Sequence, residues 1–225
     1  MGILYHIMRL LDTLLNIVFP TYCVSCRRSG FELCDTCVIK SPLNERQTLP
    51  WIFALFDYRH PPIKKALWLF KYKSRKRLAK TFAESLYGNM LEELSDLARM
   101  ENFHNALLIP VPLSKSRYRE RGYNQVELLG RELARLDNGK NFALENKALI
   151  KIKETARQAH TENRAARIKN IQGSFAISKD NESIIKDKNI ILIDDITTTG
   201  ATLNEAKKTL KRHGARKVIA FTIAH

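Results

Sequence analysis

The residues most able to do chemistry lie in Asn189 to Thr202, Asn-Ile-Ile-Leu-Ile-Asp-Asp-Ile-Thr-Thr-Thr-Gly-Ala-Thr. Ile190 to Ile193 are four consecutive apolar residues, which fits a strand buried on both faces, and they end in two carboxylates, Asp194 and Asp195. An open α/β sheet keeps its ligands at such strand ends. Beyond the acids, Thr197, Thr198, Thr199, Gly200, Ala201 and Thr202 offer hydroxyls, backbone N–H groups and one glycine able to adopt a crowded or left-handed conformation. A helical pattern follows, so these donors are expected at a positive helix N-terminus, suited to a phosphate monoester. Carboxylates accept hydrogen bonds from vicinal hydroxyls, so the ligand expected is a phosphorylated sugar.

An apolar strand ending in Asp-Asp also occurs in Walker B segments, receiver-like domains and Mg²⁺ sites. A Walker B segment needs a Gly-x4-Gly-Lys-Ser/Thr partner, and the sequence contains none. With its Thr-rich continuation, the stretch resembles the phosphoribosyl-pyrophosphate (PRPP) signature of type I phosphoribosyltransferases. That resemblance implies that Asp194 and Asp195 contact the ribose hydroxyls and that Thr197 to Thr202 hold the 5′-phosphate.

The other sites and elements are read from spacing and composition. The four cysteines of the 225-residue chain fall together, as Cys23-x2-Cys26 and Cys34-x2-Cys37. In a reducing compartment this spacing suits two knuckles that present four thiolates to one structural Zn²⁺; local disulfides or a redox pair are the competing readings. Ser41 to Pro50 reads as a linker, Trp51 to Tyr58 as a strand, and Ile63 onward as a helical pattern through Leu67, Phe70, Leu78, Phe82, Leu86 and Met90. Inside that pattern Lys71, Lys73 and Arg75 belong to a basic run interleaved with Trp68, Phe70 and Tyr72. Such a mixture serves single-stranded nucleic acid, or else is a solvated face whose aromatics are core.

Leu107 to Leu113 reads as a buried strand whose prolines forbid a helix and set its end at the sheet margin. Lys115, Arg117, Arg119 and Arg121 follow, beside Gly122 and ahead of a helix from Val126 to Leu136, and form a second anion-binding candidate, for pyrophosphate. A helix from Leu203 to His213, capped at Gly214, and a closing strand from Lys217 to Ala224 complete the pattern.

Pro110-Val-Pro-Leu113, Arg117-x-Arg-Glu-Arg-Gly-Tyr-Asn-Gln125, Lys153 to His160, Asn163-Arg164, Asn170 to Phe175 and the four-cysteine start together resemble the ComF family of competence-associated and GntX-like proteins. The family resemblance implies a PRPP site with Mg²⁺ and displacement at the ribose anomeric carbon. It also implies a mobile loop at Lys151 to Lys169, and leaves the acceptor open. It equally allows a non-catalytic protein that senses PRPP or a nucleotide monophosphate while binding single-stranded DNA or partners in a DNA-uptake or helicase machinery.

The expected architecture is therefore α/β: residues 1–49 as an amphipathic helix and zinc module, and 50–225 as a phosphoribosyltransferase-like domain with a mostly parallel sheet and helices on both faces. Hydrophobic content of 44% with 27% charged residues suits a globular chain and argues against disorder. The formal charge of +15 favours polyanionic ligands. Met1 to Pro20 is interrupted by His6, Arg9 and Asp12, which argues against a membrane span or signal peptide; the expected location is the cytoplasm.

Overall fold

The computed structural model describes residues 20–46, 48–154 and 170–225. The amphipathic helix expected before Pro20 and most of the expected mobile loop, including the Thr155 to Lys169 part of the family motif, lie outside the described residues. In chain order the elements are α1 (Asp35–Ile39), β1 (Ile52–Phe56), α2 (Pro61–Tyr72), α3 (Leu78–Glu101), β2 (Ala106–Pro110), α4 (Lys115–Arg121), α5 (Gln125–Asp137), β3 (Phe142–Leu144), β4 (Leu149–Lys151), β5 (Phe175–Ile177), α6 (Glu182–Ile185), β6 (Asn189–Ile196), α7 (Ala201–Arg212) and β7 (Lys217–Ala224).

Five strands form one sheet in the order β1-β7-β6-β2-β3, every pairing parallel. Parallel neighbours need crossovers, and the intervening helices cover the sheet, which is why β6 can be apolar on both sides. Ile191 and Ile193 pack into one cluster with α2, α3 and α5, whereas Ile190 and Leu192 pack into the other with α7, β4 and β5. A fully parallel five-stranded sheet flanked by two such layers is the α/β arrangement the sequence indicates.

Local chemistry sets the boundaries. The helical pattern beginning at Ile63 is two helices rather than one: Ser74 takes a left-handed conformation (φ 51°) between them. In α2, Pro61 and Pro62 occupy the first turn, where missing N–H groups cost nothing, and Ile63, Ala66, Leu67 and Phe70 form the buried stripe. Strand β2 lies between β6 and β3, and its Pro110 closes the strand opposite Ile193, where Val111 takes over by donating to the Ile193 carbonyl at 2.9 Å. The Pro42 to Asn44 part of the expected linker runs beside β1, with Leu43 bridged to Phe56 and Asn44 N donating to Leu55 O at 2.9 Å.

The pairing of β2 with β6 positions the site. Leu107 to Pro110 stand in register with Ile190 to Ile193, so the turns leaving both strands emerge at the same carboxyl edge. The short β4–β5 ribbon is antiparallel and separate from the main sheet. It brings Lys151 to that edge from outside.

Candidate functional site

At the carboxyl edge the chain encloses a cavity of about 260 Å³. Asp194 and Asp195 line it, with Thr198, Thr199, Ala201 and Thr202 on one side and Arg117, Arg121 and Gln125 on another. Lys71 and Lys151 complete its cationic wall. The two anion-binding candidates read from the sequence thus share one hollow. Lys115 and Arg119 stay on the exposed side of α4, outside the cavity. Thr197 is buried behind its neighbours.

The acidic pair is part of β6 rather than of the loop after it: Asp194 stands opposite Thr222 of β7, and Ile196 opposite Ala224. Alternation along a strand sends consecutive side chains to opposite faces. Asp195, on the side of Ile191 and Ile193, is 5% exposed, and both of its oxygens are engaged. Lys71 Nζ lies 2.9 Å from Oδ1, and Gln125 Nε2 donates to Oδ2 at 2.6 Å. Sequence reasoning placed Lys71 on a nucleic-acid surface; its ammonium instead neutralises the floor of this cavity, on a side chain only 19% exposed. An apolar–basic alternation in α2 gives the direction of the side chain but not its partner 124 positions away, which only the fold supplies.

Gln125 carries a second consequence. Its amide nitrogen faces a carboxylate, which fixes the amide orientation, and its Oε1 is buried without a donor among the described residues. A ligand hydroxyl or ordered water in the cavity would satisfy it.

Asp194, on the opposite face, donates nothing and accepts the Asp195 N–H at 2.8 Å. Burial, and then the neighbouring Asp195 carboxylate, push its carboxyl up to about 7, against the pull of Lys71, the Asp195 N–H and Lys151. Lys151 is lowered by burial and then by Arg117. Four cations face two carboxylates here, so the cavity suits a ligand of several negative charges.

Backbone geometry shapes the phosphate-binding candidate. Thr197 N donates to Ala224 O at 3.0 Å, and Gly200 O accepts from Asn204 N at 2.8 Å. Gly200 has φ +71°, and a Cβ there would stand 3.2 Å from Leu49 and 3.3 Å from Ile52, so both conformation and space call for glycine. Among the described residues no acceptor takes the N–H groups of Thr198, Thr199 and Gly200, which precede the twelve-residue α7. On the other wall, Ser114 caps α4 by accepting from Arg117 N, and Gly122 (φ 74°) ends it. Glu154, just past β4, accepts from Ser116 N at 3.0 Å and Ser116 Oγ at 2.5 Å, which hold its carboxyl down at about 2.

The four cysteines converge, with all four sulfurs within 4.8 Å of one another. Tetrahedral ligation at a metal–sulfur distance of about 2.3 Å requires sulfurs about 3.8 Å apart, and Cys26 and Cys34 Sγ are 3.6 Å apart. The cluster can hold a metal ion, and its cysteines are unbridged.

Comparison with known proteins agrees with this geometry. The phosphoribosyl transferase domain family matches residues 134–225, which contain β6 and the threonine loop. Competence protein F of Haemophilus influenzae is 28% identical over 92% of this chain and 85% of its own length. The DNA utilization protein YhgH of Salmonella typhimurium is 28% identical over 82% of this chain and 74% of its own. Competence protein ComFC of Bacillus subtilis is 31% identical over 72% of this chain, which spans 59% of that protein.

Over most of its length the chain is similar to competence protein F and the DNA utilization proteins.

Its fold also aligns with the allosteric regulatory enzyme of purine biosynthesis, at 15% identity and a TM-score of 0.38, over 69% of this chain but only 30% of that enzyme. A hypoxanthine phosphoribosyltransferase of Staphylococcus aureus aligns at 16% identity and 0.36, over 65% of this chain and 62% of the other. No helix among the described residues is long and apolar enough to cross a membrane.

The raised Asp194 carboxyl has a measurable effect on stability. A folded-state pKa above the unfolded value favours folding fully below about pH 4, and that contribution is lost as pH rises through about 7. Without ligand or divalent cation, Asp194→Asn should match the wild type in urea unfolding at pH 4. At pH 8 it should be more stable, on the order of a few kcal/mol; equal stability at pH 8 would contradict the assignment.

Proposed function

We propose that this chain binds PRPP with Mg²⁺ in the 260 Å³ cavity and transfers its phosphoribosyl group to an acceptor, releasing pyrophosphate. The observation that carries the reading is the meeting, in one hollow, of the β6 carboxylates, the threonine loop and the α4 arginines. In the proposed complex Asp194 and Asp195 hold the ribose hydroxyls, with Gln125 Oε1 as a further acceptor. Thr198 to Thr202 take the 5′-phosphate at the start of α7, and Arg117, Arg121 and Lys151 face the pyrophosphate. The bond from the anomeric carbon to the pyrophosphate oxygen breaks with its electron pair leaving on oxygen, and a bond to the acceptor forms. Mg²⁺, a hard cation that takes oxygen ligands, would be held at the carboxylate side of the cavity by Asp194 and would supply charge neutralisation for the leaving group.

The cysteine cluster completes this reading as a structural Zn²⁺ site: four thiolates leave no open position for catalysis. Residues 1–49 are then a metal-stapled module on the domain of 50–225.

A second reading is favoured by a specific surface. Trp68 and Tyr72, one turn apart on α2, are 41% and 49% exposed. Lys65 and Lys73 stand 4.9 and 5.4 Å from the Trp68 ring, and Arg121 4.9 Å from the Tyr72 ring. Exposed rings flanked by cations suit the bases and phosphates of single-stranded DNA, and the relatives carry competence and DNA-utilization names. In this reading PRPP or a nucleotide monophosphate is sensed rather than turned over, and DNA or a DNA-uptake partner docks on α2.

Isothermal titration of the full chain with PRPP and Mg²⁺ should give saturable heat that Asp194→Asn/Asp195→Asn abolishes; equal heats for both proteins would refute the ribose assignment. Metal analysis should find about one Zn²⁺ per chain, lost on Cys34→Ser, and a metal-free, folded wild type would rule the ion out. For DNA, a gel shift with a single-stranded oligonucleotide should weaken steeply with salt and by at least roughly tenfold in Lys73→Glu/Arg75→Glu. Lys71 is left intact there because it belongs to the cavity, and absence of any shift at low salt would remove this reading.

A further inference from the structure

Behind the threonine loop lies a second hollow, of about 330 Å³, bounded by Thr48, Leu49, Ile52, Thr197 to Gly200 and His225. His225 does not line the main cavity. Its backbone is pinned on both sides of β1's end: His225 N donates to Phe56 O at 3.1 Å, and Tyr58 N donates to His225 O at 3.0 Å. The imidazole is therefore anchored to the sheet. Its Nε2 lies 3.0 Å from the carbonyl oxygen of Thr198. A carbonyl can only accept, so Nε2 carries the proton and donates. The other ring nitrogen, Nδ1, is buried with no partner among the described residues, so nothing competes to turn the ring.

No peptide bond among the described residues is cis. In a planar trans peptide the C=O and the following N–H point in opposite directions. A Thr198 carbonyl held toward the second hollow by His225 therefore turns the Thr199 N–H the other way, to the wall that Thr198 and Thr199 present to the main cavity. Without that hold the same peptide could rotate and present its carbonyl, a negative dipole end, to an incoming phosphate.

We infer that His225 is a positioning residue for the phosphate loop, acting from behind it: by fixing the Thr198–Thr199 peptide, it keeps a backbone donor aimed at the ligand's 5′-phosphate. The inference rests on the proposed PRPP reading, and deepens it by assigning the loop's geometry to a residue that never touches the ligand. The same role predicts which part of the ligand responds. In that reading the 5′-phosphate is held at the loop, whereas pyrophosphate faces Arg117 and Arg121, which another element brings to the cavity.

The test uses the full chain and two probes, ribose 5-phosphate and Mg²⁺-pyrophosphate, titrated into wild type, His225→Leu and His225→Gln. The glutamine amide can place a donor where Nε2 stands; leucine cannot. The expected result is a weakening of ribose 5-phosphate binding by about tenfold in His225→Leu, the scale of one charge-assisted hydrogen bond. Pyrophosphate affinity should be unchanged, and most of the loss should be restored in His225→Gln. Equal loss for both probes, or no rescue by glutamine, would reduce His225 to general support of the fold and overturn the inference, as would unaltered binding in His225→Leu. Failure of the wild type to bind ribose 5-phosphate would overturn the PRPP reading itself and this inference with it, an outcome distinct from the others because it appears before any substitution.

Discussion

A carboxylate buried at the end of a central strand has to be neutralised where it stands, and the architecture around Asp195 is arranged by that requirement. Taking such a charge out of water costs several kcal/mol unless a partner and hydrogen bonds compensate it. Lys71 and Gln125 do so from two different helices, drawing α2 and α5 together over β6. Removing either partner would leave an uncompensated group, so the ion pair fixes the relative placement of three elements more than it adds net stability. Helix α2 ends one residue after Lys71, and the left-handed Ser74 then turns the chain.

Much of this was legible in the sequence, because the informative signals were local. Apolar runs marked β2, β6 and β7, the first closed by prolines and the second by acids, and the Cys-x2-Cys spacing marked a cluster whose sulfurs do converge. The shared edge of β2 and β6 followed from the rule that parallel sheets gather their ligand turns at one end. What could not be read depended on contacts distant in sequence. Lys71 carries the same local signature as Lys73, yet one faces a carboxylate and the other a tryptophan ring on the surface. Gln125 lies in a motif the sequence does mark, but its pairing with Asp195 and the arrival of Lys151 at the cavity depend on how α5 and β4 fold against it. The break at Ser74 was missed because the apolar spacing continues in phase across it.

The cysteine region is not a loose appendage. Cys23, Leu33, Cys34 and Val38 belong to the same apolar cluster as Phe70, Phe82 and Leu86. The helix that delivers Lys71 to the cavity and the four-cysteine region therefore share one apolar cluster. Ordering of the cysteine region is mechanically continuous with the helical layer through packed side chains.

Strand β6 presents a run of aliphatic residues with no polar alternation, so hydrophobicity alone gives no reason to prefer one pairing with its neighbours over another shifted by a single position. The two aspartates remove that ambiguity. One face of the sheet offers an ammonium and an amide to the residue at 195, and the opposite face offers the residue at 194 a more open mouth. A slip that moved each residue back by one position would drive Asp194 into the aliphatic site of Ile193 and leave Lys71 facing Ile196. The same pair that gives this edge its chemistry therefore also tells the central strand where to stop sliding.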